Sequence, residues 1–179
     1  MKSALLVIDV QRALFNADEP PFEAKAVVER INSLSARANS AGVPIFIIQH
    51  EANAGPLLRE SSGWQLADGL QTRHTDIFIG KRTPDSFLNT GLHQKLQALD
   101  VQRVILCGYA SEFCVDTTCR SAAAHGYSVC IASDAHTTHD KPHATGSSIR
   151  IHENSTLPNI TSFGVPIVAV GSADIKFAA

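Results

Sequence analysis

Ala4-Leu5-Leu6-Val7-Ile8-Asp9-Val10-Gln11 opens with five consecutive apolar residues and is stopped by an aspartate. The run is continuous rather than alternating, the pattern of a strand buried on both faces. Five more segments read the same way: Pro44–Ile48, Asp76–Ile79, Arg103–Cys107, Ser128–Ala132 and Pro166–Val170. Between the first two, Val27, Ile31, Leu34 and Ala38 recur at helical spacing, and Gly42-Val43-Pro44 supplies a stop signal. Leu92, Leu96 and Leu99 mark a second helix. Val115, Cys119, Ala122 and Ala123 mark a third, ended by Gly126, and a fourth runs from about His143 to Asn154. Strand and helix in repetition predict an α/β fold: a three-layer, doubly wound, mostly parallel six-stranded sheet with helices on both faces. Its 179 residues read as one domain, 1–179, with no repeat and no low-complexity tract.

Composition narrows the function classes. Apolar residues at 44% against 18% charged describe a chain able to build a core rather than a disordered one. Fifteen Lys and Arg against seventeen Asp and Glu argue against a broad nucleic-acid surface. The longest apolar run falls well short of the roughly 18 residues that suggest a membrane span. Met1-Lys2-Ser3 and the run behind it resemble a signal peptide only until Asp9, so a first strand and a cytoplasmic location are expected. In that compartment Cys107, Cys114, Cys119 and Cys130 are thiols, and Asn154-Ser155-Thr156 and Asn159-Ile160-Thr161 are chance glycosylation patterns. No Cys-x-x-Cys pair supports a structural zinc. The irregular segment 50–75, with Gly55-Pro56, Ser61-Ser62-Gly63 and the only tryptophan, Trp64, reads either as a pocket wall or as a surface excursion with Trp64 docked on the body.

In an open parallel sheet, ligands bind beyond the carboxyl ends of the strands. Three reactive residues fall there. Asp9 ends the first strand, Lys81 ends the third in Phe78-Ile79-Gly80-Lys81-Arg82, and Cys114 follows the fourth in Cys107-Gly108-Tyr109-Ala110-Ser111-Glu112-Phe113-Cys114. Each alone has an ordinary reading: a cap, a solvated lysine, a core cysteine. Together on one rim they form an acid, a cation and a thiol. A helix N-terminus and a neighbouring ammonium favour a thiolate at Cys114, and Asp9 is placed to accept its proton during attack. Backbone N–H groups before Cys114 are candidates for an oxyanion hole, in a turn that Gly108 frees to fold tightly.

These residues resemble the isochorismatase-like cysteine hydrolases, the group that includes nicotinamidases and related amidohydrolases. The likeness rests on Val7-Ile8-Asp9-Val10-Gln11, on Gly80-Lys81 followed by Asp85-Ser86-Phe87, and on Gly108 to Cys114 continuing Val115-Asp116-Thr117-Thr118. It runs from Ala4 to about Val170 and includes a Ser133-Asp134-Ala135 turn after the fifth strand. The resemblance implies Cys114 as nucleophile, Asp9 as general base and Lys81 as the group that orients both. It also implies a cis peptide between Tyr109 and Ala110 and an oxyanion hole from the N–H groups of Ala110 and Cys114. The implied reaction attacks a C–N carbonyl, releases ammonia or an amine, and hydrolyses a thioester.

Departures from the family bear on substrate. Nicotinamidases hold a metal through an Asp-x-His pattern after the second strand, where this chain reads Ile48-Gln49-His50-Glu51-Ala52-Asn53. No metal or cofactor is expected, and nicotinamide becomes a poorer candidate. True isochorismatases lack the nucleophilic cysteine, so Cys114 points to the metal-free branch acting on amide, ureido or lactam bonds. Taken alone, His136, His139 and His143 suggest a divalent-metal site, but Pro142 breaks their register. A loop bordering the pocket is the better reading, with His136 a candidate substrate contact. Phe15, Trp64, Phe87 and Tyr109 are candidate walls, and Glu112 faces either substrate or solvent. The resemblance further implies a homo-oligomer, a dimer or larger. A small amide-type molecule is the expected partner, with neither nucleic acid nor membrane. The alternatives are an inactive binding or scaffold protein on the same fold and a thiol redox sensor.

Overall fold

Alternate residues of the first strand, β1 (Ser3–Ile8), face opposite layers, and none of the six reaches solvent appreciably. Ala4, Leu6 and Ile8 enter one core with Phe46, Ile48, Val104 and Leu106; Leu5 and Val7 enter the other with Ile45, Ile47, Ile105 and Cys107. A strand with both faces covered needs apolar residues at every position, which is why the opening run does not alternate. In the computed structural model, which describes residues 1–177, β1 lies inside a six-stranded sheet. The others are β2 (Ile45–His50), β3 (Ile77–Lys81), β4 (Arg103–Tyr109), β5 (Ser128–Thr137) and β6 (Ile167–Val170). Their order is β3-β2-β1-β4-β5-β6 and every pair is parallel.

Helices cover both faces. One face is closed by α2 (Ala24–Ser40), whose Val27, Ile31, Leu34 and Ala38 are fully buried, as their spacing predicts. The other is closed by α3 (Leu92–Ala98), through Leu92 and Leu96, and by α4 (Asp116–Ala124), through Cys119, Ala122 and Ala123. The short α1 (Arg12–Phe15) follows β1, and α5 (Gly146–Thr156) precedes β6. Among the described residues, no helix is long and apolar enough to cross a membrane.

Two local readings need correction. Ser133-Asp134-Ala135 is not a turn, because β5 continues through it to Thr137 with a register shift against β4. Its polar side chain is satisfied there: Asp134 accepts from the Ser172 N–H at 2.7 Å and from Ser172 Oγ at 3.1 Å. The third helix also starts earlier than its apolar stripe suggests. A π-helical turn, Ser111–Val115, leads directly into α4.

The chain runs outward from β1 through β2 to β3, then crosses back to pair β4 on the other side of β1. Connections therefore diverge at the carboxyl ends of β1 and β4, and such a divergence leaves a crevice.

Candidate active site

Asp9 stands one residue beyond β1, at the crevice, in the left-handed region with φ +52°. A non-glycine residue there costs about 1–3 kcal/mol and persists only where its surroundings hold it. Two hydrogen bonds do so: Asp9 N–H donates to the Ile48 carbonyl at 2.8 Å, and the Gln11 N–H donates to the Asp9 carbonyl at 3.0 Å. Asp9 as a residue is 1% exposed. Lys81, also 1% exposed, ends β3, with β2 between it and β1. At a strand spacing of about 4.8 Å its side chain crosses nearly two strand widths. A long, flexible stem makes that reach. Lys81 Nζ donates to Asp9 Oδ2 at 2.6 Å, to the Thr83 carbonyl at 3.1 Å and to Cys114 Sγ at 3.2 Å. His50, at the end of the intervening β2, places Nδ1 3.4 Å from the ammonium. Burial, and then the Lys81 charge, push the His50 pKa down, so a neutral ring faces the cation.

Cys114 is half-buried in the π-helical turn, and the Ala110 carbonyl accepts the N–H groups of Phe113 (3.1 Å) and Val115 (3.0 Å). Neither bond uses the Cys114 N–H. The Tyr109–Ala110 peptide is cis. Burial, reinforced by the Asp9 carboxylate, pushes the Cys114 thiol up to about 12; the Lys81 ammonium opposes this without overcoming it. The expectation of a resting thiolate is thus corrected: desolvation and a neighbouring anion outweigh the cation, and the sulfur keeps its proton at neutral pH. Asp9 Oδ1 is buried with no hydrogen-bond partner among the described residues, an acceptor left unused beside that thiol.

Gly108 sits at φ +116°, in β4 opposite Ile8 rather than in the following turn. A Cβ here would run into the Ile8 backbone, so only glycine lets β4 close against β1 beneath the site.

The structure separates the candidate walls. Tyr109 is half-buried, and burial, followed by the charge of Glu112, raises its pKa to about 12, with lesser contributions from Cys114 and Asp9. It lies at the crevice, packed edge-on against Phe15 with ring centroids 6.0 Å apart. Phe15 is buried behind it. Trp64 lines a cavity of about 440 Å³ on the β2–β3 flank with Gln49, Glu51, Arg59 and Phe78. Phe87 is not a wall: it is 6% exposed and packs in the core on His125 and Tyr127, at centroid distances of 5.0 and 6.0 Å.

His136 is not a substrate contact either, because it has no exposure. Asn154 Nδ2 donates to the Ser133 carbonyl at 2.8 Å, which leaves Asn154 Oδ1 to accept from His136 Nε2 at 3.0 Å. His136 Nδ1 then accepts the Ser111 hydroxyl at 2.8 Å. Burial holds the ring neutral, its pKa near 4. His136 therefore fixes the first residue of the turn that carries Cys114. His139 is engaged separately, through Nδ1 with Tyr109 Oη (2.9 Å) and Nε2 with the Glu19 carbonyl (3.0 Å). Among the described residues, no group of three or more His, Cys, Asp or Glu side chains is arranged to hold a metal ion.

Gln11 and Gln49 are structural members of the site that residue type alone does not reveal. Gln11 Nε2 donates to the His50 carbonyl (3.1 Å) and the Trp64 carbonyl (2.9 Å), while its Oε1 accepts the His50 N–H (2.9 Å). Gln49 Nε2 also reaches the Trp64 carbonyl, at 3.0 Å. Both amides stitch the long segment to the ends of β1 and β2. The signal available was position: two glutamines at strand ends beside an aspartate and a histidine.

Comparison with known proteins places the chain in a family. A family model described as an isochorismatase domain matches residues 3–157. A streptothricin hydrolase of Streptomyces noursei is 36% identical over 142 residues, which cover 79% of this chain and 51% of the relative; the chain thus spans about half that protein's length. A ureidoacrylate amidohydrolase of Acinetobacter baylyi is 27% identical over 156 residues, covering 66% of this chain and 64% of the relative. A crystal structure of an isochorismatase family protein superposes with a TM-score of 0.86 at 30% identity, covering 94% of this chain and 98% of the other.

Proposed function

The chain belongs to the isochorismatase family, and from that premise we propose that it is a cysteine-dependent hydrolase of a small amide, ureido or lactam C–N bond. One observation carries the reading: a single buried ammonium, Lys81 Nζ, contacts both the Asp9 carboxylate (2.6 Å) and Cys114 Sγ (3.2 Å) at the carboxyl edge of the sheet. The names of the streptothricin hydrolase and the ureidoacrylate amidohydrolase lend support for the bond class.

In the proposed cycle the thiol begins protonated. Sγ attacks the carbonyl carbon as its proton passes to Asp9, and the N–H groups of Ala110 and Cys114 receive the oxyanion. Asp9 then gives that proton to the leaving nitrogen as the C–N bond breaks, forming a thioester. Water attacks the thioester and its proton passes to Asp9; the C–S bond breaks, and Asp9 returns the proton to sulfur. Lys81 keeps the Asp9 carboxyl group aligned with the sulfur as it takes up and returns each proton. This cycle uses no metal.

The protonated thiol weighs against the redox-sensor reading, since oxidation follows thiolate character. The test is ammonia or amine release from a panel of primary amides, ureido acids and lactams, with Cys114→Ala beside the wild type. Turnover that depends on Cys114 and survives exhaustive chelation supports the proposal. Activity persisting in Cys114→Ala sinks it, and a wild type inert across the whole panel favours the scaffold reading.

A further inference from the structure

Behind the nucleophile turn lies a cavity of about 360 Å³ that the proposed chemistry does not use. It is bounded by Glu112 of the turn, by His143 and Ala144 of the preceding loop, and by Ser148, Ile149, His152 and Glu153 of α5. Glu153 is 7% exposed, and its carboxylate has no hydrogen bond or ion pair among the described residues. Its oxygens are not themselves shut off from solvent, so the side chain is enclosed while the carboxylate opens into the cavity without a protein partner. Glu112 is half-satisfied: Oε1 accepts from Thr138 Oγ1 at 2.9 Å and lies 3.4 Å from Lys141 Nζ, whereas Oε2 is buried with no partner.

We propose that this cavity binds a small organic cation, a primary ammonium or guanidinium on a short apolar stem, held between Glu153 and Glu112. The other charged groups leave that need unmet. Lys141 is engaged by Glu112 Oε1 at 3.4 Å and by the Phe113 ring, 5.5 Å from its centroid, and makes no ion pair with Glu153. On α4, Arg120 is committed to Asp116 at 2.8 Å, and Asp116 adds negative charge on this side. His152 Nε2 is paired with Thr156 Oγ1 at 3.2 Å. Burial, and next Asp116, raise the Glu153 pKa, the signature of a carboxylate whose charge lacks compensation. A metal ion suits the cavity poorly, since its His and Glu side chains do not gather as a ligand set of three or more. Ala144 and Ile149 supply apolar wall, and an N–H-rich head with an apolar stem matches both halves of the lining.

The proposal stands apart from the assignment of Cys114, because binding is read without turnover. The probes are n-butylammonium and the neutral n-butanol, titrated at low salt into methyl- and amide-labelled protein followed by NMR. Expected are saturable shifts at Ala144 and Ile149 with butylammonium, at least about tenfold tighter binding than butanol, and at least about tenfold weaker binding in Glu153→Gln. Equal binding of the two probes, shifts elsewhere than Ala144 and Ile149, or an unchanged affinity in Glu153→Gln would overturn it. Should Glu153→Gln not fold, Glu112→Gln together with the wild-type shift map decides the matter by the same criteria. Two amide substrates differing only in a terminal ammonium or methyl group identify the source of the cation. A KM that rises for the cationic amide alone in Glu153→Gln marks a substrate arm. Butylammonium that binds alongside the amide marks a separate ligand.

Discussion

Replacing Asp9 with asparagine is expected to abolish turnover and yet make Cys114 easier to alkylate. Burial, and after it the Asp9 carboxylate, hold the thiol at a pKa of about 12. At pH 8 an ordinary cysteine, with a pKa of about 8.5, is about one-quarter thiolate; four units below its own pKa, Cys114 is thiolate in about one molecule in ten thousand. Wild-type protein should react with iodoacetamide at Cys114 on the order of a thousandfold more slowly than a free thiol at that pH. Asp9→Asn removes the anion and leaves the burial, so the pKa falls and the rate rises, by up to about tenfold for each pKa unit released, the thiolate's nucleophilicity falling as its pKa does. Lys81→Met has the opposite sign, because the ammonium is the group that lowers the thiol pKa. The assay is time-resolved alkylation between pH 7 and 10, read by mass spectrometry of the Cys114 peptide. Cys107, Cys119 and Cys130, all without solvent exposure, are the internal controls. Comparing variants cancels steric access to the half-buried sulfur. Wild-type labelling at the free-thiol rate, or Asp9→Asn labelling no faster than wild type, would refute the reasoning.

Other perturbations reach the scaffold beneath the site. Gly108→Ala combines a left-handed backbone with a Cβ driven into Ile8, and about 3 kcal/mol of lost stability, or roughly 6–12 °C in Tm, should appear in thermal unfolding. Gln11→Ala strands the His50 N–H and two carbonyls; denaturant unfolding should show a loss of about 2–4 kcal/mol, with KM rising more than kcat as the Trp64 segment loosens. His136 has a native pKa of about 4 against about 6.5 unfolded, so its contribution is full above pH 6.5 and is lost as pH falls through 4. The wild type should lose about 3 kcal/mol over that interval from this group, a loss absent in a His136→Phe variant. At alkaline pH the sign reverses in proton terms: all four cysteines have raised pKa values, so the unfolded chain releases protons that the native state keeps. Unfolding free energy should therefore fall as pH climbs above about 8.5, at up to roughly 5 kcal/mol per pH unit, and replacing Cys107 by alanine should flatten that slope by about a quarter.

What the chain discloses depends on whether a residue's meaning is local. Strands buried on both faces need continuous apolar runs, so β1, β2 and β4 are legible from Ala4, Ile45 and Val104 onward, and Val27 to Ala38 states the buried stripe of α2. Asp9, Lys81 and Cys114 stand out because each is a reactive residue at the end of an apolar run, and parallel strands bring such ends to one edge. Orientation is not local. Phe87 and Tyr109 are both aromatic and both close to reactive residues in sequence, yet one is core and the other borders the crevice. His136 looked like a contact because it follows a strand end, but β5 runs five residues past its apolar stretch and carries the ring inside. The protonation of Cys114 was illegible for a related reason. A helix terminus and a lysine can be read along the chain, whereas the burial that outweighs them exists only once β1, β3 and the π-helical turn have met.

The reach of Lys81 across β2 also ties the proposed chemistry to an edge of the sheet. β3 is an outermost strand, with Phe78 half in solvent and one row of backbone groups unpaired by any neighbouring strand. Elements of that kind open in sub-global fluctuations that leave the central strands intact. Each such opening withdraws the ammonium from Asp9 and Cys114 while β1 and β4 stay folded. On warming, turnover should accordingly decline ahead of the main unfolding transition, in step with hydrogen exchange at the amides of Ile77–Lys81. If Lys81 acts as proposed, the working temperature range is then set by the fraying of one edge strand and not by the melting of the core.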